Sequence, residues 1–164
     1  MAKPKLTHLD ETGAVRMVDV SEKAVTLRRA VAQGTVVFGP EAFRLLRANK
    51  LAKGDALAVA KLAGIQGGKR TADWIPLCHT VPLTRLDVGI ELESRGRLAR
   101  ITATAEAAWK TGVEMEALVA VSAAALALYD MAKAVDRAIS IREIVLVEKS
   151  GGRSGTWRRR GRRP

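Results

Sequence analysis

Apolar residues recur at steps of three and four between Glu116 and Arg137, and this spacing limits the possible folds more than any other feature of the chain. The residues that share the spacing are Leu118, Val121, Ala125, Leu128, Ala132 and Val135. The pattern predicts a long helix with one buried stripe. At 164 residues the chain is expected to form one domain that buries roughly two thirds of its unfolded surface, so a second layer is available to cover the stripe.

The remaining segments predict a sheet that provides this layer. Strands are expected from Lys23 to Phe38, Val88 to Leu92, Leu98 to Trp109 and Ile139 to Glu148, the middle two forming a hairpin. Helices are expected from Glu41 to Asn49, and from an Asp55 N-cap to Gly64 and the Gly67-Gly68 pair. The order strand, helix, helix, hairpin, helix, strand predicts an α+β fold with antiparallel strands and the helices on one face.

The ends of the chain differ from this central part. Residues 1–12 are polar and contain Pro4, and we expect them to form a mobile N-terminal arm. Residues 13–150 are expected to form the single α+β domain. Residues 151–164 are rich in glycine and arginine, and Trp157 is their one side chain suited to a core, so we expect a flexible C-terminal tail.

The amino-acid composition indicates what kind of core the domain has and where in the cell it is expected. The hydrophobic fraction is 48% but only 4% of the residues are aromatic, so the core must be built from small and branched side chains. The single cysteine excludes an internal disulfide. The first twenty residues contain no apolar segment typical of a signal peptide, and no eighteen consecutive apolar residues occur without a charge. We therefore expect a cytoplasmic protein with no membrane partner.

The formal charge of +11 is typical of a nucleic-acid-binding protein until it is located along the chain. Six arginines lie after residue 152, where there are no acidic residues, which leaves +5 for the rest. They are Arg153, Arg158, Arg159, Arg160, Arg162 and Arg163. Such a tail could contact phosphates, and Trp157 could stack on a base. The rest of the chain lacks an aromatic platform, so the sequence favours a small-molecule substrate over nucleic acid.

The stretch KRTADWIPLCHT, from Lys69 to Thr80, gathers the only cysteine and one of the two histidines beside basic residues. A zinc site needs three or four ligands, and the chain offers no second cysteine and only the distant His8. Core packing is the favoured interpretation of Cys78, because neighbours in an extended segment point apart and an activating imidazole would face away. For His79 two interpretations stay open, a partly buried hydrogen-bonded histidine and a donor to phosphate beside Lys69.

Charged residues occur near both ends of the predicted long helix. Glu114 and Glu116, in TGVEMEAL, either complement the helix dipole or accept hydrogen bonds from the N–H edge of a guanine-type base. Asp130 and Lys133, in YDMAK, are either a solvated pair at i, i+3 or a partly buried pair. Burial would make the lysine easy to deprotonate near neutral pH, and therefore usable as an acid or base.

Seven segments together resemble the cyclic pyranopterin monophosphate synthase family. The segments are MVDVS (17–21), AKGD around Lys53, AGIQGGKRT (63–71), IPLCH (75–79), TGVEMEAL (111–118), YDMAKAVD (129–136) and KSGGRSG (149–155). They occur in the family's order and spacing and cover roughly residues 8 to 155.

The resemblance implies a lyase of molybdenum cofactor biosynthesis. Such an enzyme converts 3',8-cyclised dihydro-GTP into cyclic pyranopterin monophosphate and releases pyrophosphate. The implied subunit is a ferredoxin-like α+β domain, and the implied assembly is a homo-hexamer, a trimer of dimers, with the active site between two subunits. No resident cofactor or metal site is implied, and the resemblance leaves open whether Mg²⁺ accompanies the triphosphate.

The resemblance also implies roles for individual residues. Lys53 and Lys133 would be the acid and base, with Asp130 orienting Lys133. The residues that would hold the base of the substrate are Glu114, Met115 and Glu116. Those that would surround its phosphates and sugar are Arg28, Lys69, Cys78, His79 and Lys149. The steps of such a reaction move protons and need no redox centre, which is consistent with lysine acid–base catalysis.

Overall fold

The structure is a computed structural model that describes residues 13–160. Its strands are β1 (Thr26–Val37), β2 (Arg85–Glu93), β3 (Leu98–Trp109), β4 (Ser140–Ser150) and β5 (Trp157–Arg158). Its helices are α1 (Pro40–Arg47), α2 (Ala56–Lys69), α3 (Thr71–Trp74) and α4 (Glu114–Ala132). The N-terminal arm expected at residues 1–12 lies outside the described residues.

The strands form one open sheet in the order β2-β3-β1-β4-β5, and all neighbouring strands are antiparallel. From β1 to β4 the chain follows the order β-α-β-β-α-β of ferredoxin-like folds, except that three helices, α1, α2 and α3, lie between β1 and β2. α2 and α4 pack on each other and on the sheet. The prediction of an α+β fold with an antiparallel sheet is therefore confirmed.

The helix-facing side of the sheet is built largely from alanine. The side chains that are at most 1% exposed on β1 and β3 are Ala30, Ala32, Val36, Ala99, Ile101, Ala103, Ala105 and Ala107. Small side chains let α4 approach the strands closely. At Gly34 the approach is closest, because a Cβ there would lie 2.6 Å from Cγ1 of Val121. The low aromatic content thus permits a thin, tightly packed interface between helix and sheet.

Helix α2 continues through the glycines that the sequence analysis took as its end. Gly64, Gly67 and Gly68 are all buried, and they face α4. A Cβ on Gly64 would lie 2.9 Å from the Ala120 carbonyl oxygen. These glycines cost helix propensity, but they let the backbones of α2 and α4 approach each other. The expected boundary is wrong because tertiary contact, and not local preference, determines their role.

The Gly67→Ala substitution is expected to destabilise the fold by about 1–3 kcal/mol, although alanine favours helices. The new Cβ would lie 2.6 Å from Cβ of Ala123, and neither methyl group can rotate away. Chemical denaturation of Gly67→Ala, Ala123→Gly and the double variant measures the effect. The double variant should lose less free energy of unfolding than the sum of the two single variants. Strict additivity would contradict the contact.

Helix α4 is the predicted long helix, although it begins at Glu114 and ends at Ala132, before the expected Arg137. It is long and apolar enough to cross a membrane by length and composition alone. However, 61% of its most apolar window is buried inside the fold. This burial is typical of a core helix. The 19 residues of α4 separate its two termini by about 28 Å.

The segment predicted as a flexible tail contributes the short strand β5. Trp157 pairs with Lys149, and Arg158 pairs with Glu148. Arg158 Nε also lies 2.9 Å from Glu148 Oε2. Over these two residues the expected flexibility is replaced by pairing with β4, because the turn after Ser150 returns the chain to the edge of the sheet. The domain boundaries at residues 12 and 150 stay predictions.

Candidate active site

Two lysines approach one carboxylate at the C-terminal end of α4. Lys53 Nζ lies 2.6 Å from Asp130 Oδ2 and donates a second hydrogen bond, of 2.9 Å, to the Asp130 carbonyl oxygen. Lys133 Nζ lies 2.6 Å from Asp130 Oδ1. We call this group the lysine cluster. The sequence placed Asp130 and Lys133 on one helix face, and the antiparallel packing of α2 on α4 adds Lys53, which precedes α2.

The lysine cluster lies at the surface of the protomer. The side chains of Lys53, Asp130 and Lys133 are 43%, 52% and 51% exposed. Hydrogen bonds first from Lys133 and then from Lys53 lower the pKa of Asp130 to about 2. The hydrogen bond to Asp130 raises the pKa of Lys133. The hypothesis of a partly buried, easily deprotonated Lys133 is therefore wrong for a single protomer, because Lys133 is exposed and Asp130 stabilises its ammonium form.

A cavity of about 430 Å³ opens at the other end of α4. Its lining residues include Cys78, His79, Glu114, Met115 and Glu116. The turn after α3 carries Cys78 and His79 to the first turn of α4. We call this space the base cavity. It brings together five of the residues that the sequence analysis assigned to substrate binding.

Glu116 is the buried carboxyl group of the base cavity. Its exposure is only 4%, since it faces inward from the first turn of α4. Desolvation, and to a smaller extent the charge of Glu114, raise the pKa of Glu116 to about 7. Both protonation states are therefore populated near neutral pH. A carboxyl group in this condition can accept a hydrogen bond from a base and can also donate one.

Cys78 and His79 both line the base cavity, although the sequence analysis expected neighbours to point apart. That expectation is wrong because the two residues lie in a loop and not in a strand. Burial, and secondarily the charge of Glu116, raise the pKa of the Cys78 thiol, which disfavours the nucleophilic thiolate. His79 is half-buried and has no hydrogen-bond partner among residues 13–160, which leaves its ring nitrogens available to a ligand.

The Glu116→Gln substitution is expected to remove a pH dependence of stability. Because the pKa of Glu116 is higher in the folded state, its protonated form favours folding below pH 4.5, and this contribution is lost as the pH rises to about 7. Wild-type protein should therefore lose about 3 kcal/mol relative to the glutamine variant between pH 4.5 and 8. Urea denaturation across this pH range measures the difference. The exposed Glu91→Gln on β2 is the control, and parallel curves for Glu116→Gln and wild type would contradict the assignment.

A second cavity, of about 690 Å³, adjoins the base cavity. The two share Lys23, Thr111, Gly112 and Glu114 as lining residues. Both Arg28 and Lys149 line the second cavity, which we call the basic cavity. Two of the residues that the resemblance assigned to the phosphates and sugar, Arg28 and Lys149, therefore lie next to those assigned to the base.

The loop after β4 passes directly over Arg28. Arg28 donates hydrogen bonds of 3.2 Å from Nε to the Trp109 carbonyl and from Nη2 to the Lys110 carbonyl. Gly152 has φ +70°, and a Cβ on it would lie 1.9 Å from Arg28 Nη1. Only glycine allows this approach, so the GG pair of KSGGRSG holds the loop against Arg28.

Lys69 is the predicted site residue that the protomer does not bring to either cavity. It ends α2 and lines a groove with Val81 and Leu86, next to the base cavity. The lysine cluster is also apart, because the 19 residues of α4 span about 28 Å and separate it from Glu114. Within residues 13–160 no three His, Cys, Asp or Glu side chains gather in a way that could hold a metal ion.

The sequence analysis did not identify Lys23 and Lys110, and it named Arg153 only as part of the basic tail, but all three also line the basic cavity. Each lies beside a segment that the analysis did quote. Lys23 follows MVDVS, Lys110 precedes TGVEMEAL, and Arg153 is part of KSGGRSG. Cations at the edges of motif segments were therefore the available signal, but the sequence alone did not show that they meet.

The chain is similar to a known protein family and to individual proteins of other organisms. The family model described as the MoaC family matches residues 17–152. A protein of Thermomicrobium roseum named cyclic pyranopterin monophosphate synthase is 56% identical over 155 residues, which are 94% of this chain and 93% of that protein. A protein of the same name from Parvibaculum lavamentivorans is 52% identical over 158 residues, 96% of this chain and 99% of its own length. Cyclic pyranopterin monophosphate synthase 1 of Mycobacterium tuberculosis is 56% identical over 154 residues, 94% and 90% of the two chains.

Proposed function

The chain belongs to the MoaC family, and on that basis we propose that it is a cyclic pyranopterin monophosphate synthase, a lyase of molybdenum cofactor biosynthesis. The proposed substrate is 3',8-cyclised dihydro-GTP, and the products are cyclic pyranopterin monophosphate and pyrophosphate. The observation that carries the proposal is the convergence of Lys53 and Lys133 on Asp130. The reaction rearranges rings and forms a cyclic phosphate, and both steps require that protons are moved.

We assign recognition of the purine-derived ring to the base cavity. Glu116 and Glu114 offer carboxyl groups to the N–H edge of the ring, and Met115 provides an apolar contact. His79, which has no hydrogen-bond partner among residues 13–160, is assigned as a donor to the sugar or the first phosphate. Cys78 forms part of the wall of the cavity. Its raised pKa keeps it a neutral thiol at physiological pH, so we assign it a packing role and not a nucleophilic one.

We assign acid–base chemistry to the lysine cluster. Lys133 is held as an ammonium ion by Asp130 and can donate a proton to a leaving nitrogen or oxygen. Lys53 shares the same carboxylate, so when one lysine has donated its proton, the neutral amine that remains beside the other ammonium ion can accept a proton released by the substrate. Asp130 orients both amines and remains ionised throughout, because its pKa is about 2.

The proposed active site is shared by two subunits. In one protomer Asp130 of the lysine cluster lies about 21 Å along α4 from Glu116 of the base cavity, which is too far for the ring system of one substrate to contact both. A second copy that presents its lysine cluster to the base cavity would complete the site. This requirement supports active sites at subunit contacts, and the family resemblance supports a homo-hexamer, a trimer of dimers. We propose that this assembly is cytoplasmic.

We propose that the reaction needs no resident cofactor, since ring opening, ring closure and the attack of a ribose hydroxyl on phosphorus all move protons and none needs a redox centre. Mg²⁺ bound to the triphosphate of the substrate is compatible with this chemistry. Titration of Mg²⁺ into the reaction after treatment with a chelator would measure its contribution.

Turnover of the substrate tests the proposed function directly. The protein is incubated with enzymatically prepared 3',8-cyclised dihydro-GTP, and the oxidised pterin product is measured by its fluorescence. Stoichiometric release of pyrophosphate is expected. A protein that is folded by circular dichroism but produces neither pterin nor pyrophosphate would refute the proposal.

A further inference from the structure

The turn after α4 carries a carboxylate that the proposed chemistry does not use. Asp136 is the last residue of the segment YDMAKAVD, three positions beyond Lys133, and it is half-buried. None of the ion pairs formed within residues 13–160 includes it. A half-buried carboxylate without a cationic partner is unfavourable unless hydrogen bonds stabilise its charge. The hydrogen bonds of Asp136 therefore indicate its role.

Both carboxylate oxygens of Asp136 accept hydrogen bonds from the backbone. The Gly39 N–H donates a bond of 2.7 Å to Oδ2, and the Ala138 N–H donates a bond of 2.8 Å to Oδ1. Gly39 is the N-cap residue of α1, and its carbonyl oxygen accepts a hydrogen bond from the Phe43 N–H. The negative charge therefore lies at the positive end of the dipole of α1. Together these bonds join the turn after α4 to the start of α1.

Glycine is required at the joint because the carboxylate approaches so closely. A Cβ on Gly39 would lie 2.9 Å from Asp136 Oδ2, which is too close unless one of the two groups moves. The backbone conformation does not require glycine, since a φ of −66° is open to any residue. The contact with Asp136 therefore accounts for the glycine before Pro40.

The joint connects the two segments that carry the lysines of the lysine cluster. On one side, the N–H groups of Val135 and Asp136 both donate to the Ala132 carbonyl, which closes a tight turn directly after Lys133. On the other side, α1 is followed by a short hydrogen-bonded loop that reaches Lys53. A shift of the turn relative to α1 would therefore change the distances between the two amines and the carboxylate that they share.

We propose that Asp136 is a positioning residue for the lysine cluster. It joins the turn after Lys133 to the helix that leads to Lys53, and it thereby holds both amines at Asp130. A displacement of about 1 Å at a reacting group can lower a rate about 10²-fold. The inference rests on the proposed function for the reaction that the amines perform, whereas the joint rests on the contacts of Asp136 alone.

Turnover and substrate affinity are compared for the wild type, Asp136→Ala and Asp136→Asn. Asp136→Ala removes both acceptors, so kcat should fall about 10²-fold, while the affinity for the substrate stays close to that of the wild type. Asp136→Asn keeps one acceptor oxygen and should retain more of the rate. Asp87→Ala removes an exposed carboxylate from β2 and should keep the wild-type kcat. Wild-type kcat in both Asp136 variants would overturn the inference.

A double variant separates positioning of the lysine cluster from a general loss of structure. Asp136→Ala should lower kcat by a smaller factor in the Lys133→Ala background than in the wild type, because one of the amines that it positions is then absent. A general loss of structure would lower kcat by the same factor in both backgrounds. Equal factors would therefore contradict a role that acts through Lys133.

Labelling of amines tests the positioning role without turnover. Lys53 and Lys133 donate hydrogen bonds to Asp130, which favour the ammonium form and slow acylation by an N-hydroxysuccinimide ester. In both Asp136 variants the two lysines should be acylated faster than in the wild type, relative to the exposed Lys61 on α2. Unchanged relative labelling would refute the inference, even if the wild type turns over its substrate. Faster labelling, together with no turnover by the wild type, would keep the positioning role and refute the proposed function.

Discussion

Replacing Lys53 or Lys133 by alanine is expected to lower kcat by about 10²–10⁴-fold while the substrate still binds. Each variant removes one amine from the carboxylate of Asp130, so a proton can no longer be accepted and donated at the same cluster. The base cavity and the basic cavity, at the other end of α4, keep their residues. Single-turnover measurement of pterin fluorescence gives the rate, and calorimetric titration with the substrate gives the affinity.

Another exposed lysine, replaced in the same way, controls for the loss of one positive charge and of one surface side chain. Lys61→Ala, on an exposed position of α2, should retain wild-type kcat and affinity. Full turnover by Lys53→Ala or by Lys133→Ala would remove that lysine from the chemistry. Loss of substrate binding with an unchanged rate at saturation would instead make the lysine cluster a binding site.

Mixing two inactive variants is expected to restore activity if the active site is shared between subunits. Lys53→Ala lacks the lysine cluster, and Glu114→Ala lacks a contact in both cavities at the far end of α4. In a mixed pair of subunits, one shared site carries both substitutions. The other site is built from unaltered residues only and should be active. Random exchange of equal amounts should therefore restore about a quarter of the wild-type sites. The assay is turnover after subunit exchange, with exchange confirmed by native mass spectrometry of differently tagged chains.

The control for this experiment comes from the same geometry. Lys53→Ala and Lys133→Ala alter the same lysine cluster, so every site in their mixture lacks one of the two amines. This mixture should stay inactive. Confirmed exchange without recovery of activity in the Lys53→Ala and Glu114→Ala mixture would refute a site shared between subunits.

The lysine cluster could be predicted from the sequence only in part, and Lys53 is the part that could not. The spacing of Asp130 and Lys133 predicted their pairing, because i and i+3 lie on one face of any helix. Lys53 is 77 residues away from Asp130 along the chain, and only the resemblance to a family associated the two. The structure brings them to 2.6 Å by packing α2 antiparallel on α4. The exposure of the cluster also decides between the two interpretations of Asp130 and Lys133, in favour of a solvated pair in the protomer.

Periodicity and residue size act within single elements, and they therefore predicted the long helix, the hairpin, the antiparallel α+β class and a core of small and branched side chains. The tertiary structure alone decided that α2 continues through its glycines, that Glu116 is buried enough to raise its pKa to about 7, and that Lys23, Lys110 and Arg153 line one cavity. Burial and charge density depend on which distant segments pack together. Such contacts leave no periodic pattern in the chain, since each involves only one or two residues from each segment.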